Sequence, residues 1–122
     1  MLIAHSYFSL MRGTSSPEAL VLRARELGIR TLALADDDGL YGAVEFWKIC
    51  EREGIRPVIG ATVEGTVHLV RNRAGYANLC RLITARHTGK AHEDREGLFT
   101  PPDARHVYFA RPEEWKVHKL LS

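Results

Sequence analysis

The sequence of 122 residues is poor in the features that mark secreted, membrane-spanning and strongly charged proteins. It has only two cysteines, Cys50 and Cys80, so neither a CxxC site nor a disulfide framework is indicated, and buried thiols in a reducing compartment are expected. No apolar run approaches the roughly 20 residues of a membrane helix, and no signal peptide opens the chain. The net charge of +2 is too small to indicate a partner by itself. We expect a cytoplasmic protein.

What the sequence does contain is typical of one globular domain, which we place over residues 1–122. Apolar residues make up 45% of the chain and charged residues 26%, as in ordinary soluble domains. The charge is unevenly placed: residues 1–61 carry 7 Lys and Arg against 8 Asp and Glu, whereas residues 62–122 carry 10 against 7. Any anionic partner is therefore expected at the second half.

Short apolar runs alternate with helical patterns, which predicts an α/β architecture with a largely parallel sheet. For the first helix, Ser16 is the predicted N-cap, Pro17 the first helical position and Gly28 the end. The polar stretch 88–105 is predicted to be a mobile surface loop between a core of residues 1–87 and a terminal strand and helix over 106–122. The predicted strands are 2–5, 31–35, 57–61, 66–70 and 106–110, and the predicted helices 17–27, 41–53, 74–86 and 113–121.

Three consecutive carboxylates, Asp36, Asp37 and Asp38, follow the second predicted strand directly. In parallel α/β folds the working groups sit at the carboxyl ends of strands, where His5 also lies. Imidazole and carboxylate ligands suit Zn²⁺, Mn²⁺ or Fe²⁺, and clustered metal ions activate water for phosphoester cleavage. The alternative is that the aspartates cap the following helix and complement its dipole.

Four segments of the sequence, in family order between about Leu2 and His87, resemble the polymerase-and-histidinol-phosphatase (PHP) domain. The segments are LIAHSYFSLMRGTSSPEAL, LGIRTLALADDDGLYGAVEFWKIC, GIRPVIGATV and AGYANLCRLI. They are most similar to the version at the amino terminus of bacterial C-family DNA polymerases, the replicative DNA polymerase III alpha subunit and its error-prone relatives. The resemblance implies a distorted β/α barrel whose strand ends hold metal ions and, in active members, hydrolyse phosphoesters. Because the chain is shorter than a complete family domain, we expect a partial or shortened barrel, arising by deletion or as a fragment of a polymerase.

Compared with the family pattern, four early ligand positions have changed type. The family's His-x-His falls on Ile3-Ala4-His5, and the Asp of its turn falls on Arg12. The Asp-His of its second strand falls on Asp36-Asp37, and its later Glu falls on Thr62. The resemblance therefore implies a degenerate metal site with the remnant His5, Asp36, Asp37, Asp38, Glu64 and His68. A cation among these ligands repels metal ions, so we expect Arg12 to form a salt bridge with Asp36 and Asp37 instead.

These observations favour a PHP-like module tied to a C-family polymerase, structural or nucleic-acid-binding, without phosphoesterase activity and with no cofactor. The alternatives are a metal-dependent phosphoesterase or 3′–5′ exonuclease with a rebuilt zinc, manganese or iron site, and a pure protein-interaction module. Contacts to nucleic-acid phosphates are predicted for Arg71, Arg73, Arg81, Arg86 and Lys90, for which a solvated helix face is the alternative.

A partial barrel leaves sheet edges and an uncovered apolar face, which a soluble monomer rarely tolerates. We expect the 88–122 segment to fold back over this face. Self-association is the second solution and a polymerase partner the third. The residues that supply apolar bulk for the first solution are Phe99, Val107, Tyr108, Phe109 and Trp115.

Overall fold

The computed structural model describes residues 2–6, 15–101 and the backbone of 105–107. The helices are α1 (Pro17–Glu26), α2 (Ala43–Glu53) and α3 (Arg73–His87). The strands are β1 (Leu2–Ala4), β2 (Thr31–Asp37), β3 (Arg56–Val63), β4 (Thr66–Val70), β5 (Leu98–Phe99) and β6 (Arg105–Val107). The predicted residues 108–110 of the last strand and the predicted helix 113–121 lie outside the described residues.

All six strands form one sheet in the order β5-β4-β3-β2-β1-β6. The pairs β1–β2, β2–β3 and β1–β6 are parallel, whereas β3–β4 and β4–β5 are antiparallel. The predicted α/β fold with a mostly parallel sheet is therefore confirmed. Across the described strands the sheet is open, with β5 and β6 at its edges.

The helices begin and end at residues that commonly cap helices. Ser16 caps α1 by accepting a hydrogen bond from Ala19 N at 3.1 Å, and Pro17 opens the helix as predicted. Gly54 ends α2 in the left-handed conformation, with φ 75°. Asn72 caps α3 by accepting from Gly75 N at 3.0 Å, so α3 begins one residue earlier than predicted.

The three helices pack on one face of the sheet. Leu20 of α1 and Phe46 of α2 are fully buried in a cluster with Leu34 of β2. Leu79 of α3 packs in a neighbouring cluster with Ala61 of β3. Successive strand residues point to opposite faces, so each strand contributes only alternate side chains to these contacts. None of the helices in the described part of the chain is both long and apolar enough to span a membrane.

The opposite face of the sheet carries a second apolar cluster. It is formed by Ile3, Ala33, Ala35, Val67 and Leu69, with Phe99 of β5 packed against it. Phe99 thus covers part of this face, as expected for a fold-back of the 88–122 segment. The side chains of Val107, Tyr108, Phe109 and Trp115 lie outside the described residues.

The prediction of a continuous surface loop over 88–105 is wrong at three positions, because Leu98 and Phe99 form strand β5 beside β4 and Arg105 is the first residue of β6. Two side-chain hydrogen bonds hold β5 in place, and the polar composition of the segment does not predict them. Thr100 Oγ1 donates to Val67 O at 2.5 Å, and Asn78 Nδ2 of α3 donates to Glu96 O at 3.0 Å.

Candidate functional site

The carboxyl ends of β2 and β3 lie side by side, with Asp36 opposite Ala61 and Asp37 opposite Thr62. Leu34 faces the helices and Ala35 packs on the opposite face, so alternation along the strand carries Asp36 to the helix side and Asp37 to the other. The consecutive acids therefore diverge. Their sequence adjacency does not make them a cluster.

Asp36 is buried, with 3% of its surface exposed, and Ser6 binds both of its carboxylate oxygens. Ser6 N donates to Oδ1 at 2.6 Å, and Ser6 Oγ donates to Oδ2 at 2.6 Å. Ser6 reaches this position because β1 runs parallel to β2, which brings the residues just after β1 beside the end of β2. Short charge-assisted bonds of this kind are strong, so the carboxylate fastens the two strand ends together.

Thr62 is the residue predicted to replace a glutamate of the family pattern. Its side chain is buried, and Oγ1 donates a hydrogen bond to Ala35 O at 2.9 Å. The hydroxyl hydrogen is therefore used to join β3 to β2. A neutral threonine in this arrangement adds no negative charge to the strand ends.

Arg86 of α3 bridges two of the predicted metal-site acids. Its Nη1 lies 2.7 Å from Glu64 Oε1 and its Nε lies 3.7 Å from Asp38 Oδ1. Glu64 and Gly65 have φ values of 50° and 79°, which makes a two-residue hairpin turn of β3 and β4. Glu64 therefore does not continue the face of Thr62, because β3 ends at Val63 and the turn directs the Glu64 side chain towards Arg86 of α3.

The two histidines of the predicted remnant differ in their surroundings. His5 is fully buried just after β1. His68 lies on β4 opposite Ala61, and burial, followed by the charge of Arg95, lowers the pKa of its imidazole. Among residues 2–6 and 15–101, no three His, Cys, Asp or Glu side chains form a group that could hold a metal ion. Arg12, the predicted salt-bridge partner of Asp36 and Asp37, lies outside the described residues.

The predicted phosphate contacts are spread over several surfaces. Arg86 is engaged by Asp38 and Glu64, and the Arg71 guanidinium lies 4.9 Å from the centre of the Phe99 ring. Arg73 is exposed in the first turn of α3. Only Arg81 and Lys90 line a common groove beside the second half of α3.

Sequence reasoning missed Ser6 as the partner of Asp36 and Arg86 as the partner of Glu64. The alternation in TLALADD already separates Asp36 from Asp37, and Glu64-Gly65 between two short apolar runs is a turn signal. The identity of the partners depends on contacts between residues 30 and 22 positions apart in the chain. No local pattern reports such contacts.

We expect the Arg86→Ala variant to lose less than about 1 kcal/mol of unfolding free energy, because 43% of the Arg86 side chain is exposed and solvent screens both ion pairs. The loss should shrink further in high salt. Urea unfolding of this variant, with Arg81→Ala as the control for removing a helical arginine, measures the effect. A loss of about 3 kcal/mol or more would instead indicate a desolvated bridge.

Comparison with known proteins places the chain in a defined family. A model described as the PHP domain matches residues 2–116. The error-prone DNA polymerase of Anaeromyxobacter sp. (strain K) is 45% identical over 115 residues, which cover 81% of this chain and 10% of that protein. The DNA polymerase III subunit alpha of Bacillus subtilis (strain 168) is 37% identical over 89 residues, covering 64% of this chain and 8% of that protein. The chain thus spans about a tenth of the length of these curated relatives.

The fold also matches a solved structure. A protein of Bifidobacterium adolescentis, described as a metal-dependent phosphoesterase, superposes with a TM-score of 0.56 at 24% identity. The match covers 68% of this chain and 31% of that protein. At this identity the likeness establishes the fold.

Proposed function

The chain belongs to the PHP domain family, and on this premise we propose that it is a polymerase-associated PHP module without phosphoesterase activity. The observation that carries the proposal is the double hydrogen bond from Ser6 to Asp36. Asp36 occupies the acidic position that the family keeps at the end of its second strand. In this chain both carboxylate oxygens already accept short bonds inside the protein.

The surrounding donors do not fit a divalent cluster either. Such ions need several anionic or imidazole ligands converging in fixed geometry. Glu64 and Asp38 face the Arg86 guanidinium, and Thr62 supplies a neutral hydroxyl already donated to a carbonyl. Positive charge beside the remaining acids opposes the approach of a metal ion. We therefore assign these side chains a structural role.

The partner we propose is the remainder of a bacterial C-family polymerase, in the cytoplasm. The similarity to an error-prone DNA polymerase and to a DNA polymerase III alpha subunit supports this, because in both the matching region is a small part of a far longer protein. A module of this kind contributes a packing surface and electrostatic contacts, and the chemistry belongs to the rest of the polymerase.

The second candidate is a metal-dependent phosphoesterase or 3′–5′ exonuclease with a rebuilt site. It is favoured by the fold shared with the Bifidobacterium protein and by the survival of His5, Asp36 and Asp37 at the strand ends. It would require Asp36 to leave Ser6 and Arg86 to release Glu64. Each change breaks bonds that the folded chain already makes.

A hydrolysis assay separates the two candidates. We expect the purified protein with added Mn²⁺ or Zn²⁺ to cleave bis(p-nitrophenyl) phosphate and 3′-labelled oligonucleotides no faster than its Asp36→Asn variant. The variant is the matched control, because it keeps the side-chain shape and carries over the same contaminating nucleases. Hydrolysis that is faster in the wild-type protein and depends on added metal would support the phosphoesterase and overturn our proposal.

A further inference from the structure

An open groove of about 400 Å³ runs along the second half of α3 and the residues that follow it. Its walls and floor are formed by Cys80, Arg81, Thr84, Ala85, Thr88 and Lys90. The groove lies on the solvent side of a helix whose buried side packs on β3 and β4. Asp36, Asp38 and Glu64 are not among its lining residues.

The charge in this groove is of one sign. Arg81 and Lys90 are both exposed, and none of the residues lining the groove in the described part of the chain is acidic. Neither cation forms an ion pair with any described residue, in contrast to Arg86 and Arg52. The two cations are available to a ligand from solution.

The end of a helix normally repels anions, because its last carbonyl groups carry partial negative charge. Here most of those carbonyls are already bonded within the protein. Thr84 O accepts from Thr88 N at 3.0 Å and from Thr88 Oγ1 at 2.9 Å, and Ala85 O accepts from Lys90 N at 2.7 Å. Arg86 O accepts from Gly89 N at 3.4 Å. The cations of the groove therefore lie beside carbonyl groups that already accept hydrogen bonds, which weakens the repulsion of an anion.

We propose that this groove binds the phosphates of a nucleic-acid backbone through Arg81 and Lys90. The arginine offers a fork of donors to a phosphate, and the lysine a mobile point charge. Arg81 and Thr88 are separated by about 10 Å along the helix at 1.5 Å per residue. A nucleic-acid strand carries one negative charge per nucleotide, so a groove of this length can face more than one phosphate of the same strand. An open groove of this length suits a polymer better than a single small anion.

Cys80 supplies a reporter inside the groove. It is only half-buried, whereas Cys50 is fully buried and burial raises the pKa of the Cys50 thiol to about 12. Thiolates are the reactive form, so a thiol reagent applied to the folded protein near pH 8 should modify Cys80 and leave Cys50 unmodified. A ligand in the groove should slow that reaction.

The test measures binding of fluorescein-labelled oligothymidylate by anisotropy, in EDTA and at several salt concentrations. Charge reversal in the double variant Arg81→Glu, Lys90→Glu should weaken binding by about tenfold or more and lower the salt slope by about 1.4, since each single-strand phosphate contact contributes about 0.7. The matched control is Arg30→Glu, Arg56→Glu, which changes the net charge equally on exposed residues elsewhere. The control should retain the wild-type slope.

Oligothymidylate should also protect Cys80 from the thiol reagent, and poly-glutamate at equal charge should not. The proposal would be overturned if the wild-type protein did not bind oligothymidylate, or if the Arg81→Glu, Lys90→Glu variant bound it as tightly as the wild-type protein. It would also be overturned if the control double variant lost as much affinity as this one. Equal protection of Cys80 by poly-glutamate would also overturn it, in favour of an acidic protein ligand. The binding measurements are made in EDTA, so their failure would not bear on the proposed lack of phosphoesterase activity. Likewise, metal-dependent hydrolysis would overturn the proposed function without bearing on nucleic-acid binding in this groove.

Discussion

Replacing Gly97 with alanine is expected to lower the free energy of unfolding by about 2–5 kcal/mol, from backbone strain and overpacking together. Gly97 has a φ of 79°, a conformation that costs other residues about 1–2 kcal/mol. A Cβ at this position would also overlap Asn72 Oδ1 and Gly75 N, and would lie 2.7 Å from Gly75 Cα. The helix N-cap of α3 and the 88–101 segment therefore meet too closely at Gly97 for any side chain.

The substitution should detach β5 as well as strain the backbone. Gly97 O accepts from Arg71 N at 2.7 Å, which joins the segment to the residue after β4. The matched control is Gly89→Ala, because Gly89 has a φ of 71° but nothing within 4 Å of an added Cβ. The control should lose only the strain, about 1–2 kcal/mol. Urea unfolding that gives equal losses for the two variants would show that the close approach at Gly97 contributes nothing.

Ser6→Ala is expected to cost about 1–3 kcal/mol, since a buried carboxylate loses one of its donors. The remaining bond from Ser6 N keeps Asp36 partly satisfied, so we expect a folded variant. A double-mutant cycle with Asp36→Asn isolates the pairwise contribution, because the two side chains are in contact. Urea unfolding of the four proteins measures it.

The same cycle distinguishes a structural Asp36 from a metal ligand. In our account EDTA leaves every free energy of the cycle unchanged, and added Mn²⁺ does not restore Ser6→Ala. If Mn²⁺ stabilised the wild-type protein and this stabilisation vanished in Asp36→Asn, the carboxylate would be a ligand and the assigned structural role would be wrong.

Much of the fold could be predicted because local patterns decide it. The apolar run of β2 predicts a buried strand, and Ser16 and Pro17 predict the start of α1. Both predictions use only residues that are adjacent in the sequence. β5 was not predictable, because it has only two residues and polar neighbours. Its pairing with β4 depends on Gly97 approaching Gly75, a contact between distant parts of the chain.

The candidate site was less predictable than the fold. The resemblance to the family identified Asp36 as the surviving acid. The three aspartates suggested convergence, but the alternation of β2 sends Asp36 and Asp37 to opposite faces, and Asp38 lies beyond the strand beside Arg86. Arg86 was expected to meet phosphates because it belongs to a basic helix. Its ion pairs with Asp38 and Glu64 arise only when α3 packs beside the β3–β4 turn, which composition does not reveal.

Our central claim is that the strand-end acids serve the fold and do not hold a catalytic metal cluster. Elemental analysis of the protein, purified without chelator, tests it most directly, with Asp36→Asn purified in parallel as the control. We predict less than one tightly bound zinc, manganese or iron ion per chain, and the same content in the variant. Two or three stoichiometric metal ions in the wild-type protein, lost in the variant, would contradict the account.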